Sequence, residues 1–256
     1  MVAEDEQSRG VLVTGASGGI GRAVAVAFAR RGDRVAVHYS ARRAEAERTL
    51  EELPGDGHAL VSADLADPGQ VADLAAAAET ALGGVDVLVN NAAVVTAGHG
   101  VADVDYETWQ RSWREIVEVN LFGAANLSYC VARRLIDRGV EGAIVNVGSR
   151  GAFRGEPIAP AYGASKAGLH SLGQSLAVSL APHGISVTSV APGFVETDRV
   201  ADRLAGDSGV EIRAQSPYGR VATPDEVAAA VVYLASPAAR WSTGAVLDVN
   251  GASYLR

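Results

Sequence analysis

Cysteine is nearly missing from this chain of 256 residues: Cys130 is the only one, so no disulfide can form within it. A domain of this length buries roughly three-quarters of its unfolded surface and needs no such staple. A single thiol fits a reducing, intracellular setting. Basic charge is in the minority, with 22 Lys and Arg against 30 Asp and Glu and a net charge of −8. Nucleic-acid binders usually show the opposite balance, and aromatics at 5% are too sparse for a base-stacking platform. No nucleic-acid partner is expected. Charge of either sign lapses over residues 167–195, a stretch long enough to cross a membrane. Pro182, Gly184, Pro192, Gly193, two histidines and a Gln interrupt it, so it reads as a buried helix, a turn and a buried strand. Met1–Arg9 is acidic and polar without an apolar core, unlike a signal peptide. The expectation is a cytoplasmic protein with no membrane association and a disordered tail over residues 1–9. The five histidines (His38, His58, His99, His170, His183) lack metal-ligand spacing, so no metal site is expected.

Lysine is as scarce as cysteine. Of the 22 basic residues, 21 are Arg and one is Lys166. A bias toward Arg accounts for the 21 but not for the exception. A planar, larger guanidinium cannot replace an amine where the amine's chemistry is needed.

What is present is a steady alternation. Short apolar runs (Val11–Thr14, Arg34–Tyr39, His58–Ala63, Val85–Asn90, Gly142–Gly148, Ile185–Val190, Ala245–Val249) read as strands. Between them lie helical stretches at Ile20–Arg31, Arg42–Leu53, Asp67–Leu82, Tyr106–Arg138, Ala161–Ala181 and Pro224–Leu234, with short helical pieces in 197–215. Strands without polar alternation, separated by helices, belong to a parallel sheet covered on both faces. The expected fold is α/β: one Rossmann-like, doubly wound domain over residues 10–256, with about seven strands.

Three motifs carry chemistry. Thr14-Gly15-Ala16-Ser17-Gly18-Gly19-Ile20-Gly21 joins the first strand to the first helix, where glycine lets backbone N–H groups approach a pyrophosphate. Its TGxxxGxG spacing differs from the general dinucleotide fingerprint. Val89-Asn90-Asn91-Ala92-Ala93 ends the fourth strand, and its amides can satisfy strand backbone or touch a cofactor. Ser149 follows the fifth strand, and Tyr162 and Lys166 share a face of the next helix, four residues apart. A neighbouring ammonium favours the phenolate and lowers the phenol pKa. A phenol so tuned exchanges a proton with a carbonyl or alcohol oxygen.

From these motifs, with Asn120 in VNLFG and PGFVET at 192–197, the chain resembles the short-chain dehydrogenase/reductase family in its single-domain branch, over about residues 9–252. The likeness is strongest to 3-oxoacyl-carrier-protein reductases and related polyketide ketoreductases. The resemblance implies that Tyr162 is the catalytic acid for ketone reduction and that Ser149 hydrogen-bonds the substrate oxygen. It implies that Lys166 holds the nicotinamide ribose and depresses the Tyr162 pKa, and that Tyr162 also lies against the cofactor. Asn120 would hold a water of a proton relay, or mend a helix kink. The cofactor would lie against Gly15, Ser17, Gly18, Gly19, Ile20 and Gly21, with Asp64 and Leu65 at adenine. Asn91, Ala92, Ala93, Pro192, Gly193, Val195 and Thr197 would line the rest of its path. Asp64 alone reads equally well as a turn residue.

The second strand ends His38-Tyr39-Ser40-Ala41-Arg42-Arg43, with no acid for a ribose 2′-hydroxyl. Ser40, Arg42 and Arg43 suit a 2′-phosphate instead, so NADP(H) is expected over NAD(H). Two solvated arginines at a helix start are the alternative. Carrier-protein reductases tend to carry Arg where Val140 and His183 stand here, so a free polycyclic or polyketide-like ketone is favoured over a 3-oxoacyl thioester on a carrier protein. An NAD(P)-dependent alcohol or sugar dehydrogenase working oxidatively, and more remotely a non-catalytic cofactor-binding regulatory protein, are the alternatives. Arg150 and Arg154 either meet an anionic or phenolic substrate group or are surface charges, and Phe153 and Phe194 join the candidate substrate residues. Residues 194–218 read as a lid. The uncharged helix at 167–181 is an interface candidate. The resemblance pairs it with the long helix at 106–138 and implies a homotetramer, or failing that a dimer.

Overall fold

A computed structural model describes residues 8–206 and 208–256. Seven strands form one parallel sheet: β1 (Gly10–Val13), β2 (Arg34–Tyr39), β3 (Ala59–Ser62), β4 (Val87–Asn90), β5 (Gly142–Val147), β6 (Ile185–Pro192) and β7 (Val246–Val249). Their order is β3-β2-β1-β4-β5-β6-β7. The chain reverses direction across the sheet between β1 and β4, and ligands bind at such a switch point, beyond the carboxyl ends of the strands.

Helices cover both faces because each carries one apolar stripe. On one face α1 (Gly19–Ala29), α2 (Arg43–Glu52) and α10 (Pro224–Leu234) pack Val24, Phe28, Ala46, Val231 and Leu234 against Val11, Val35 and Val145. On the other, α3 (Pro68–Leu82), α5 (Ala124–Arg138) and α7 (Pro160–Leu180) contribute Leu74, Leu82, Leu127, Leu135 and Leu180. Phe28 is fully buried, and cutting such a side chain to Ala costs about 3–5 kcal/mol.

Three expectations need correction. The long helix at 106–138 is broken into α4 (Tyr106–Val117), a wide π turn (Glu118–Gly123) and α5. The buried Asn120 amide is drawn to the backbone of Val94, accepting from its N–H at 2.8 Å and donating to its O at 3.0 Å. Gly123 lies so close to Leu65 that a Cβ would stand 2.5 Å from its carbonyl oxygen. Second, a short helix unforeseen in the sequence, α6 (Gly151–Arg154), follows β5. Third, the tail ends sooner than expected. Arg9 pairs with Asp33 at 2.9 Å and donates to Ala235 O at 2.8 Å, while residues 1–7 of the expected tail lie outside the described residues.

The expected lid contains α8 (Asp198–Ala205) and α9 (Ser208–Ala214), and a parallel bridge from Val195 to Ala222 ties its base. Among the described residues no helix is long and apolar enough to cross a membrane.

Candidate active site

The glycine turn sits at the switch point and is braced from two strands. Gly15 N donates to His38 Nδ1 at 3.1 Å, while His38 Nε2 lies 3.2 Å from Ala63 O. Burial lowers the His38 pKa to about 4, so the ring is neutral at neutral pH, with its proton on Nε2. Asn91 Nδ2 donates to Thr14 O at 2.8 Å and Gly15 O at 3.1 Å, and Ala92 N donates to Thr14 Oγ1 at 3.0 Å. Both amides of the pair make structural bonds: beside those of Asn91, Asn90 Nδ2 donates to Ser128 Oγ and Asn146 Oδ1, each at 2.9 Å. Gly21 has no room for a side chain, since a Cβ would stand 2.3 Å from Gly15 O. Ser17 is buried, with its carbonyl taken by Arg22 at 3.1 Å.

The turn fits a dinucleotide. Helix α1 begins with no side-chain cap and no acid in its first turn, leaving N–H groups and the positive end of the dipole for an anion. Gly18 is extended, and a Cβ there would meet nothing within 4 Å. Opposite, Thr197 approaches the turn: a Cβ on Gly19 would lie 3.1 Å from Thr197 Cγ2. Gly193 and Pro192 are held by backbone bonds, Gly193 N to Val249 O at 3.1 Å and Arg150 N to Pro192 O at 3.0 Å. Val195 is buried at the lid base. Leu65 is buried and Asp64 exposed, its carboxylate accepting from Ala66 N at 3.0 Å in the manner of a turn residue. Ser40 and Arg42 are exposed beyond β2, and Arg43 pairs with Glu47 at 2.8 Å.

The candidate proton-transfer groups converge beyond β5. The Ser149 side chain acts on the Tyr162 phenol, favouring its ionised form, and its Oγ accepts from Gly151 N at 3.0 Å. Lys166 is 2% exposed; its Nζ donates to Val147 O at 2.8 Å and lies 5.9 Å from the Tyr162 ring centroid. Burial, with Arg199 nearby, lowers the Lys166 pKa to about 7. Asn120 Nδ2 donates to Ser165 Oγ at 3.3 Å, and Ser165 Oγ donates to Tyr162 O at 2.8 Å. This chain of bonds joins the π turn to α7.

Tyr162 departs from expectation. Burial pushes its pKa up, and the groups pulling it back are the Ser149 side chain and the Arg199 guanidinium, not Lys166. The Lys166 ammonium is turned to the Val147 carbonyl instead. Arg199, which donates to Ala93 O at 3.0 Å, was missed. The only available signal was its place two residues after Thr197. His170 was also missed as a support. Its Nε2 lies 3.5 Å from Ser149 N and 3.4 Å from Ser149 O, and its ring stacks on Phe153 at 5.2 Å. Arg150 is buried and Arg154 exposed, so the surface-charge reading fails for Arg150. Phe194 lies 5.3 Å from the Arg150 guanidinium. Among the described residues no group of three His, Cys, Asp or Glu is placed to hold a metal ion.

Known proteins resemble this chain over nearly its full length. Residues 15–252 match a family model described as "Enoyl-(Acyl carrier protein) reductase". An L-rhamnose 1-dehydrogenase (NAD(P)(+)) of Sphingomonas is 37% identical over 252 residues, 97% of each chain. A 3-oxoacyl-[acyl-carrier-protein] reductase of Vibrio cholerae is 36% identical over 244 residues, 95% of this chain and 96% of its own. The crystal structure of a 3-ketoacyl-(acyl-carrier-protein) reductase from Brucella melitensis, complexed with NADH, superposes with a TM-score of 0.86. It is 32% identical and covers 96% of this chain and 98% of its own.

Proposed function

The chain belongs to the short-chain dehydrogenase/reductase family and is an NAD(P)-dependent oxidoreductase, and from that premise we propose that it is an NADPH-dependent ketoreductase acting on a free ketone. The observation that carries this reading is the half-buried Tyr162 phenol, set beside Ser149 and held protonated at neutral pH by desolvation.

A nicotinamide dinucleotide would lie between the uncapped α1 N-terminus, the Asn91–Ala93 loop and Thr197, and it supplies the hydride when bound. Ser149 orients the carbonyl oxygen, and Tyr162 gives that oxygen its proton. Lys166, a short helical turn from Tyr162, is the ammonium available to the ribose hydroxyls, and Asn120 fixes the loop beside it. A raised phenol pKa favours donation over abstraction. Reduction therefore stays fast at neutral pH and falls as the phenol ionises, while oxidation rises with pH through the alkaline range.

NADPH is favoured over NADH by what stands after β2. The first acid beyond Tyr39 is Glu45. With Arg43 held by Glu47, the 2′-phosphate contact falls to Arg42 and Ser40. Arg42→Ala should lower kcat/KM for NADPH by about tenfold or more, the worth of a charge-assisted hydrogen bond, and leave NADH unchanged. Equal loss with both cofactors would overturn the assignment.

A free ketone is favoured over a carrier-bound thioester because, among the described residues, the Val140 and His183 positions ahead of β5 and β6 offer no free basic group. Val140 and His183 are exposed, Glu141 pairs with Arg240, and Arg138 is taken by Glu79 and Asp86. The second reading is oxidation of a sugar or alcohol, and the rhamnose dehydrogenases among the relatives favour it. Initial rates in both directions, with both cofactors, on an acetoacetyl thioester, a bulky bicyclic ketone and L-rhamnose decide between them. Exposed Phe122, Tyr129 and Val178, near or on α5 and α7, support a homotetramer or a dimer, testable by sedimentation equilibrium.

A further inference from the structure

Arg150 carries a charge that its surroundings do not neutralise. Its side chain is buried at 4% exposure, yet among the described residues it has no hydrogen-bonded carboxylate. Nη2 donates to Gln215 Oε1 at 2.5 Å, and Nη1 has no partner. More positive charge gathers on the same groups. Arg154 Nη1 shares the Gln215 oxygen at 3.3 Å, and the Arg203 guanidinium lies 5.1 Å from the Phe194 ring that Arg150 also faces. Glu156 offsets part of this at a distance but bonds to none of the three guanidinium groups.

Arg150 lines a half-open cavity of about 300 Å³ together with Phe194, Gln215 and Tyr218 of the segment 194–218 and with Asp248 and Asn250 at the end of β7. The two carboxylates of its wall are already occupied: Glu226 pairs with Arg220 at 2.6 Å and Asp248 with Arg256 at 2.9 Å. Arg150 is what remains uncompensated. A buried guanidinium with a free N–H is stable only with an anion or water against it, and its planar donor array matches a carboxylate or phosphate. The cavity wall includes none of Ser149, Tyr162 and Lys166. An occupant therefore sits apart from the proton-transfer groups, against the residue that follows Ser149 in the chain.

We propose that this cavity is an anion-recognition subsite in which Arg150 receives a carboxylate or phosphate group, carried by the far end of the substrate or by a separate small anion. The binding claim stands by itself, and its kinetic arm rests on the oxidoreductase reading above.

The test is calorimetry of the cofactor-loaded protein with succinate and glycerol 3-phosphate, each against its neutral counterpart, succinamide or glycerol. The wild type should bind at least one anion saturably and neither neutral molecule. Arg150→Gln should weaken that binding by about tenfold or more, and Arg150→Lys should recover part of it. Turnover of 4-oxopentanoate against its methyl ester identifies the source. A preference for the acid that vanishes in Arg150→Gln places the anion on the substrate, whereas anion binding that does not compete with the ester places it on a separate molecule. No anion preference in the wild type, or equal binding in Arg150→Gln, overturns the proposal. Should both variants fail to fold, the wild-type comparison alone decides. If no ketone is turned over, the ketoreductase reading fails while the binding result still stands.

Discussion

Helices α1 and α10 pack side by side on one face of the sheet, and their N-termini are finished in opposite ways. At α10 the protein satisfies itself. Thr223 Oγ1 accepts from Glu226 N at 3.3 Å, Glu226 accepts from Thr223 N at 2.8 Å, and Pro224 opens the helix. At α1 no side chain caps the helix, no acid stands in the first turn, and Gly18 faces open space. A capping box contributes stability, so its absence at α1, on a helix just as well buried, marks groups held back for something outside the chain. Both termini lie near the carboxyl ends of the strands, and only the one at α1 is left open.

Four substitutions can break or sharpen this contrast. Gly21→Ala has the largest expected effect, because its Cβ would stand 2.3 Å from Gly15 O. The turn must open, costing about 1–3 kcal/mol in a denaturant melt and abolishing dinucleotide binding by calorimetry. Gly18→Ala separates the two quantities. Its stability should stay within about 0.5 kcal/mol of wild type, while dinucleotide affinity drops by about tenfold or more, a 1.4 kcal/mol loss. Thr223→Ala is the mirror case, losing about 1 kcal/mol of stability with dinucleotide affinity unchanged. The smallest effect is that of pH on the box. Arg220 and the Thr223 backbone hold the Glu226 pKa at about 2, below its usual 4.5. Its contribution is complete above pH 4.5 and disappears as pH falls through 2. Glu226→Gln should lack that component in acid titrations of stability.

Burial gives the site its own pH dependence. The pKa values of His38 and His170 lie at about 4, lowered from 6.5 mainly by burial. The unfolded chain binds more protons than the folded one between those values, so stability should fall as pH drops from 6.5 to 4. Phe in place of His38 should flatten this slope in melts across that range. For Lys166, lowered to about 7 from 10.5, the same rule predicts stability rising with pH between those values. Lys166→Met should gain most at or below pH 7 and progressively less above it.

Much of this was legible in the chain. Seven apolar runs between helical stretches located the sheet, since a strand buried on both faces needs no polar alternation. The glycine turn and the Tyr162–Lys166 pair could be read by spacing, because their geometry is local to one turn or one helix, whereas the role of Ser149 was implied by the resemblance. What escaped depended on long-range packing. The π turn at Asn120 exists because its amide meets Val94, 26 residues away. The phenol pKa is raised because the packing around the half-buried Tyr162 keeps water from the phenol, which spacing does not reveal. Arg150 read equally as a substrate residue or a surface charge, and its burial rests in part on Gln215, 65 positions on, to which it donates. Arg199 reaches Ala93 across 106 residues of chain, and no local pattern announces it.

Tyr162→Phe tests the central claim most directly, with dinucleotide binding and turnover measured on the same preparation using the best of the three substrates in both directions. Cofactor affinity should change by far less than turnover, since the glycine turn and the open α1 terminus offer most of the dinucleotide contacts. Turnover should fall by about 10²–10⁴-fold, the usual share of a positioned proton donor. Turnover within tenfold of wild type would contradict the account and leave the proton donor elsewhere.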